Sequence, residues 1–152
     1  MRIRKIKISD YNDVNKLMQQ LHSLHVENRP DLYVKIEHPY SIDEFKKIVE
    51  NKDIISVLAE DDGEILGLAI VTIRNKSGML KKRTAYMDAL CVDERFRGQG
   101  IGKELFSFVS NMAKKKGAER LDLMVWSFNE KALIFYEELG MKTQRYIFEK
   151  EL

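Results

Sequence analysis

Charged residues alternate with Ile3, Ile6 and Ile8 at the start of the chain, which predicts a first strand over Arg2–Ile8. Ser9-Asp10 reads as a helix cap, and Val14, Leu17, Met18, Leu21 and Leu24 follow it at helical spacing. That helix ends before Pro30, because the residue ahead of a proline avoids helical angles. Pro30 to Tyr40 predicts a loop. Ser41-Ile42-Asp43-Glu44 has the form of a capping box and starts a short second helix carrying Phe45, Ile48 and Val49. Two apolar runs, Ile54–Glu60 and Ile65–Arg74, flank the turn signal Asp61-Asp62-Gly63 and predict a hairpin. Asn75 to Lys82 is polar and predicts a loop.

Tyr86–Val92 predicts the next strand. A helical run from Lys103 to Lys116 follows, with Ile101, Leu105, Phe108, Val109 and Met112 as its apolar stripe and Gly117 as its stop. Leu121, Leu123 and Val125 mark a strand parallel to Tyr86–Val92, because a helical crossover joins the two. Asn129–Leu139 predicts a last helix stopped by Gly140, and Thr143–Leu152 a final strand. The order is strand, two helices, three strands, helix, strand, helix, strand. It predicts a mixed α/β fold, with a mixed sheet and a parallel pair at its centre.

Composition narrows the setting. The chain has 152 residues, 44% of them hydrophobic, enough for one domain with a real core. Lys and Arg number 26 against 24 Asp and Glu. That balance argues against nucleic acid as a partner, which asks for a concentrated basic face, and leaves room for a local basic pocket. Cys91 is the sole cysteine, so no internal disulfide forms, and a reducing, cytoplasmic setting fits. The first residues carry no apolar signal core, and no stretch approaches membrane-spanning length, so no membrane partner is expected.

The chemistry concentrates in Arg97-Gly98-Gln99-Gly100-Ile101-Gly102, between an apolar strand and a helix start. Glycine lets backbone turn sharply and approach a ligand. The first amides of a helix lack internal partners, and the helix dipole favours an anion there. The segment therefore predicts a phosphate cradle. It is not a nucleoside-triphosphate loop, because Glu104 follows Gly102-Lys103 where a hydroxyl is needed and Arg97 stands where the first glycine belongs. It is not a dinucleotide fingerprint either: the spacing is Gly98-x-Gly100-x-Gly102, and several elements precede it. Asp122 lies about twenty residues downstream, as that fingerprint would want, but on the wrong glycine spacing.

Arg97-x-x-Gly100-x-Gly102 resembles the Gln/Arg-x-x-Gly-x-Gly/Ala loop of GNAT-type N-acetyltransferases. Asn129-Glu130-Lys131-Ala132-Leu133-Ile134-Phe135-Tyr136-Glu137-Glu138-Leu139-Gly140 is similar to that family's last helix, with its Asn, its Phe-Tyr pair and its closing Gly. The order of elements fits from end to end, and the match is sharpest from Tyr86 to Met141. The resemblance implies a single N-acetyltransferase domain over 1–152, with 1–83 the acceptor-side half and 84–152 the acetyl-coenzyme A half. It implies acetyl-CoA as donor, an amine as acceptor and no metal. Backbone amides of Arg97, Gly98, Gln99, Gly100, Ile101 and Gly102 would hold the pyrophosphate, with Lys103 at the loop's end. Leu90, Cys91 and Val92 would pair with the pantetheine arm, and Asn129 would both cap its helix and touch the cofactor. Tyr136 takes the family's general-acid position; its reference pKa of about 10 against about 8.5 for a thiol leaves the proton transfer modestly uphill. Asp88 interrupts an apolar strand and, at period two, shares a face with Tyr86 and Leu90. It is the candidate for amine binding or proton relay.

Other residues have plainer readings. Cys91 is a packed strand residue and not a nucleophile. Lys114-Lys115-Lys116 complements the end of the helix dipole. His22 and His25 lack a carboxylate partner for a metal and read, with Arg29, Asp31 and Tyr33, as acceptor-side contacts. Trp126 lines the cleft or the core. Leu123-Met124-Val125-Trp126 lacks the acidic residue that ribosomal-protein acetyltransferases often carry there, which favours a small-molecule amine. The alternatives are a protein N-terminus or lysine as acceptor, or a non-catalytic acyl-CoA sensor. Tyr146-Ile147-Phe148, apolar on both faces, points to a homodimer.

Overall fold

A computed structural model describes every residue except Lys81 and Lys82. The elements follow the sequence in order: β1 (Arg2–Lys5), α1 (Tyr11–Asn28), α2 (Ile42–Glu50), β2 (Ile54–Asp61), β3 (Glu64–Asn75), β4 (Arg83–Val92), α3 (Ile101–Lys115), β5 (Arg120–Asp122) and α4 (Glu130–Glu138). The strands form one open sheet in the order β1-β2-β3-β4-β5. The first four are antiparallel neighbours, and β5 runs parallel to β4 after the α3 crossover. The loop expected over 75–82 is described as far as Leu80; Lys81 and Lys82 lie outside the described residues.

Each face of the sheet carries its own core. Ile101, Leu105, Val109 and Ala113 of α3 pack on Val57, Ala69, Val71, Ala85 and Met87. On the other face, Val14 and Leu17 of α1 and Phe45 and Val49 of α2 cover Leu58, Leu68, Ile70, Ala89 and Cys91. Phe45 is fully buried, worth about 1.5–3 kcal/mol in transfer terms. Ser41 and Glu44 form the expected capping box: the Glu44 amide donates to Ser41 Oγ at 3.2 Å, and the Ser41 amide donates to Glu44 Oε2 at 2.9 Å. Asp10 stands at the N-cap position of α1, but its side chain makes no capping hydrogen bond to that helix. Asp10 instead closes a short turn, accepting from the Lys7 amide at 2.7 Å and from Arg4 at 2.7 and 3.0 Å.

Three departures from the predicted pattern bear on function. The β3–β4 register shifts between Ile70 and Val71, which pair with Ala89 and Met87, so Asp88 is an extra residue in a β-bulge. The bulge reverses the parity of β4. Leu90 and Val92 pack on the α3 side with Ala85 and Met87, while Ala89 and Cys91 take the α1 side. Tyr86, Asp88 and Leu90 therefore do not share one face. Second, β5 is only three residues long, because β4 stays beside it only through Thr84–Tyr86. Third, Thr143–Leu152 forms no strand. Backbone groups order as a strand only where a neighbour takes their hydrogen bonds, and none among the described residues does. Side chains tether the segment instead, Gln144 to Asp122 at 3.1 Å and Glu149 to Arg29 at 2.8 Å.

Gly67 explains how closely β3 and β4 approach. A Cβ there would lie 2.7 Å from the Cys91 carbonyl oxygen and 3.2 Å from Leu105 Cδ1. Any side chain would push the two strands apart next to Leu90–Val92.

Candidate active site

The site begins where the sheet opens. β4 pairs with β5 at Thr84↔Arg120, Ala85↔Leu121 and Tyr86↔Asp122, and no further. From Met87 to Val92, the bulged Asp88 apart, it is paired with β3 on one edge and, among the described residues, with no strand on the other. Alternate N–H and C=O groups of that stretch therefore point into a gap. One carbonyl is already used: Arg97 Nε donates to Val92 O at 3.1 Å.

The glycine loop closes one end of this stretch. Gly98 and Gly100 have φ of +78° and +82°, which L side chains rarely adopt, and a Cβ at either would meet nothing within 4 Å. Backbone conformation, not space, is what requires glycine at these two positions. Gly100 is the cap of α3, and the Glu104 amide is the first to find a carbonyl, that of Gly100 at 3.1 Å. The amides of Gly98–Lys103 meet no acceptor among the described residues. Six free donors at the positive end of a helix dipole fit a pyrophosphate. The side chain of Ile101 is buried in the core, so only its backbone can contribute. At Gly102 a Cβ would make ordinary contact with the Phe135 ring at 3.4 Å, so neither space nor backbone conformation demands glycine there.

Tyr136 reaches β4 from the α3 side. Its hydroxyl lies 3.8 Å from Met87 Sδ, and its ring packs near Phe106 and Phe135. Burial pushes its pKa up to about 12. Asn129 caps α4, its Oδ1 accepting from the Ala132 amide at 3.2 Å.

Asp88 projects on the opposite, α1–α2 face. Thr72 Oγ1 donates to it at 2.5 Å, and Arg74 stands at 3.4 Å. Burial raises its pKa, and the Thr72 hydroxyl and the Arg74 charge only partly oppose that. Arg74 also lies over the Tyr86 ring at 3.9 Å. Tyr40 faces the same region; burial, then the Asp88 charge, pushes its pKa up to about 12. The loop that carries Tyr40 is held by Asn15, whose Oδ1 accepts from the Tyr40 amide at 3.0 Å. Thr72, Arg74 and Tyr40 were not singled out by the sequence pattern. Thr72, a polar residue in an apolar strand opposite Tyr86, was the available signal.

A second aromatic wall joins α1 to the segment after β5. Tyr33 contacts His22, His25 and Trp126 at ring separations of 5.9, 5.1 and 6.0 Å, and Trp126 stacks on Phe128. Arg29, ion-paired to Asp31 and Glu149, lies 5.0 Å over Trp126. Burial, then the neighbouring His22, lowers the pKa of His25. His22 Nε2 bonds the Val34 carbonyl at 2.7 Å. The five residues read as acceptor-side contacts thus gather around Trp126, with Phe128 as an unforeseen member. Among the described residues no group of three or more His, Cys, Asp or Glu side chains converges as a metal site, and no helix is long and apolar enough to cross a membrane.

Cys91 is buried on the α1 side. Its Sγ lies 3.3 Å from the Leu17 carbonyl, and burial pushes its pKa up to about 11. It is a packed strand residue, not a reactive thiol.

An open mixed sheet, parted strands and a glycine loop at a helix start define an acyltransferase architecture. The model of the acetyltransferase (GNAT) family matches residues 18–141, and the chain belongs to that family. An uncharacterized N-acetyltransferase of Methanocaldococcus jannaschii is 28% identical over 103 residues, 68% of this chain; the match covers 46% of that longer protein. A thialysine N-epsilon-acetyltransferase of Mus musculus is 26% identical across 91% of this chain and 82% of its own. The crystal structure of a tetramutant of the BH1408 protein from Bacillus halodurans superposes with a TM-score of 0.94 at 31% identity, over the full length of both chains.

Proposed function

We propose that this protein transfers an acetyl group from acetyl-coenzyme A to the primary amine of a small molecule, by direct attack with donor and acceptor bound together. One observation carries the reading. β4 and β5 part beyond Tyr86, and the free loop amides, the Tyr136 hydroxyl and the Asp88 carboxylate lie on the elements that border the gap. The mouse relative, named for thialysine acetylation, supports a small amine as acceptor.

Bound acetyl-CoA supplies an acetyl group activated as a thioester. Residues 84–152 hold it: backbone amides of Arg97–Gly102 and Lys103 take its pyrophosphate, Leu90–Val92 its pantetheine arm, and Asn129 flanks it. A strand amide near Cys91 or Val92 serves as the donor that polarises a carbonyl. Residues 1–83, with Asp88, shape the acceptor side. Ionised Asp88 holds the acceptor ammonium and relays its proton, since only the neutral amine attacks. Tyr136 protonates the departing thiolate. A pKa near 12 keeps the hydroxyl in the acid form at working pH, and holds the proton more tightly than a free tyrosine does.

The test combines an acetyl-transfer screen with one variant. Small primary amines, not peptides, should be acetylated; acetylation confined to peptides would reject the acceptor reading. Tyr136→Phe should lower kcat by about 100-fold with coenzyme A affinity unchanged, as its hydroxyl makes only the 3.8 Å contact to Met87. An unchanged kcat at saturating substrates would remove Tyr136 from the mechanism.

A further inference from the structure

We propose that Asp88 and Arg74 together form a receptor for a free α-amino acid, Asp88 taking its ammonium and Arg74 its carboxylate, and that this amino acid is the acceptor. The proposal rests on the acceptor reading above and narrows it. Four other arginines each grip a carboxylate through two nitrogens, at 2.7–3.1 Å: Arg4 on Asp10, Arg29 on Asp31, Arg95 on Asp93 and Arg120 on Asp122. Arg74 touches Asp88 through one nitrogen at 3.4 Å. A guanidinium is a fork of N–H donors, and the rest of this one meets no acceptor among the described residues.

Arg74 is nonetheless held in place. Its guanidinium lies over the Tyr86 ring at 3.9 Å, a contact that fixes its plane without using its N–H groups. The bulge of β4 sets its partner, turning Asp88 onto the face that carries Thr72 and Arg74 of β3. Thr72 takes one Asp88 oxygen and Arg74 the other, and each oxygen keeps a lone pair for a further donor. The Arg74 side chain is 43% exposed and that of Asp88 31%, so a ligand can reach both. A fixed cation with idle donors beside a carboxylate with idle acceptors matches a zwitterion.

Spacing selects which zwitterion. The two protein charges stand 3.4 Å apart, so the ligand must carry its own charges equally close. In an α-amino acid the ammonium and the carboxylate hang from one carbon. A diamine brings Arg74 a second cation, and like charges repel. A peptide N-terminus brings it a neutral amide, which leaves a guanidinium withdrawn from water without its counter-charge. Arg29, a second cation at the cleft, is spent on Asp31 and Glu149 and does not compete for the carboxylate. In the transfer, Asp88 takes one ammonium proton and the freed nitrogen lone pair forms the amide N–C bond as the thioester C–S bond breaks. A second nitrogen proton makes good the one that Tyr136 gives to sulfur.

A panel of L-α-amino acids run beside their carboxamides tests this, because the carboxamide keeps the amine and the shape and loses the negative charge. For the best substrate, kcat/KM should exceed that of its carboxamide at least about tenfold. Arg74→Gln should bring that ratio to about one by lowering the value for the acid, in a protein that still binds coenzyme A. Carboxamides or diamines acetylated as fast as the acids would overturn the inference and leave the small-amine reading intact. A ratio that survives Arg74→Gln would overturn the role of Arg74. Calorimetry needs no transfer: the same acids should bind the coenzyme A complex, and at least about tenfold more weakly after Arg74→Gln. Absence of that binding would overturn the receptor. Arg74-dependent binding without acetylation would support the receptor and reject the transfer reading, so the two failures are told apart.

Discussion

Asp10, at the corner between β1 and α1, and Asp88, at the bulge of β4, are both carboxylates partly withdrawn from water, and their surroundings treat them in opposite ways. Burial works against the ionised form of Asp10, but the two-toothed Arg4 guanidinium and the Lys7 amide more than offset it, and its pKa lies below the ordinary value. Asp88 has one hydroxyl at 2.5 Å and a single-point arginine contact at 3.4 Å, so burial wins and its pKa lies above. A charge with full compensation ties elements together. One with partial compensation stays available for a ligand or a proton. The bulge is what leaves Asp88 short of partners, since the extra residue has no opposite number on β3.

The comparison can be broken at either end. The largest effect is expected from Asp10→Ala, which should cost about 2 kcal/mol in chemical denaturation by removing charged hydrogen bonds from a buried corner. Acetyl transfer below the unfolding transition should be unchanged. Asp88→Asn should do the reverse: kcat/KM for the amine falls about tenfold, while stability at neutral pH holds or rises because a poorly compensated charge is gone. A loss of stability with unchanged kcat/KM would show that Asp88 is structural.

The pH dependence sharpens the contrast. Asp10, with its depressed pKa, contributes stability that is present above the ordinary carboxylate range and lost as pH falls through the folded value. Asp88, with its raised pKa, has the opposite sign: its protonation at low pH favours the fold, while under the proposed role acetyl transfer should be lost as pH drops through a value above 3.8. The smallest effect is expected from Thr72→Val. Loss of that hydroxyl should move the acid limb of kcat/KM upward by less than about one pH unit, with the coenzyme A affinity untouched. A limb that stays in place would mean that Asp88 does not govern it.

The sequence and the fold agree where structure is local. The capping box at Ser41, the stop before Pro30, the hairpin turn and the glycine loop depend on near neighbours, and all stand where the pattern put them. What depends on the partner strand was not legible. A bulge is a property of two strands, so period two misjudged the faces of Tyr86, Asp88 and Leu90. The shortness of β5 follows from β4 leaving it, not from Leu121, Leu123 and Val125 themselves. The aromatic wall gathers His22, His25, Arg29 and Tyr33 from one end of the chain and Trp126 and Phe128 from the other; only folding unites them. Residues 143–152 have the composition of a strand and lack, among the described residues, the neighbour that would make them one.

Cys91 has a practical consequence for the laboratory. Acetyl transfer releases a thiol, and thiol-reactive dyes count it. The protein's own single sulfhydryl is 6% exposed, bonded to the Leu17 carbonyl and protonated at neutral pH, so the folded chain should be silent to such a dye. Background colour would then report unfolded molecules, and one cuvette would read turnover and integrity together.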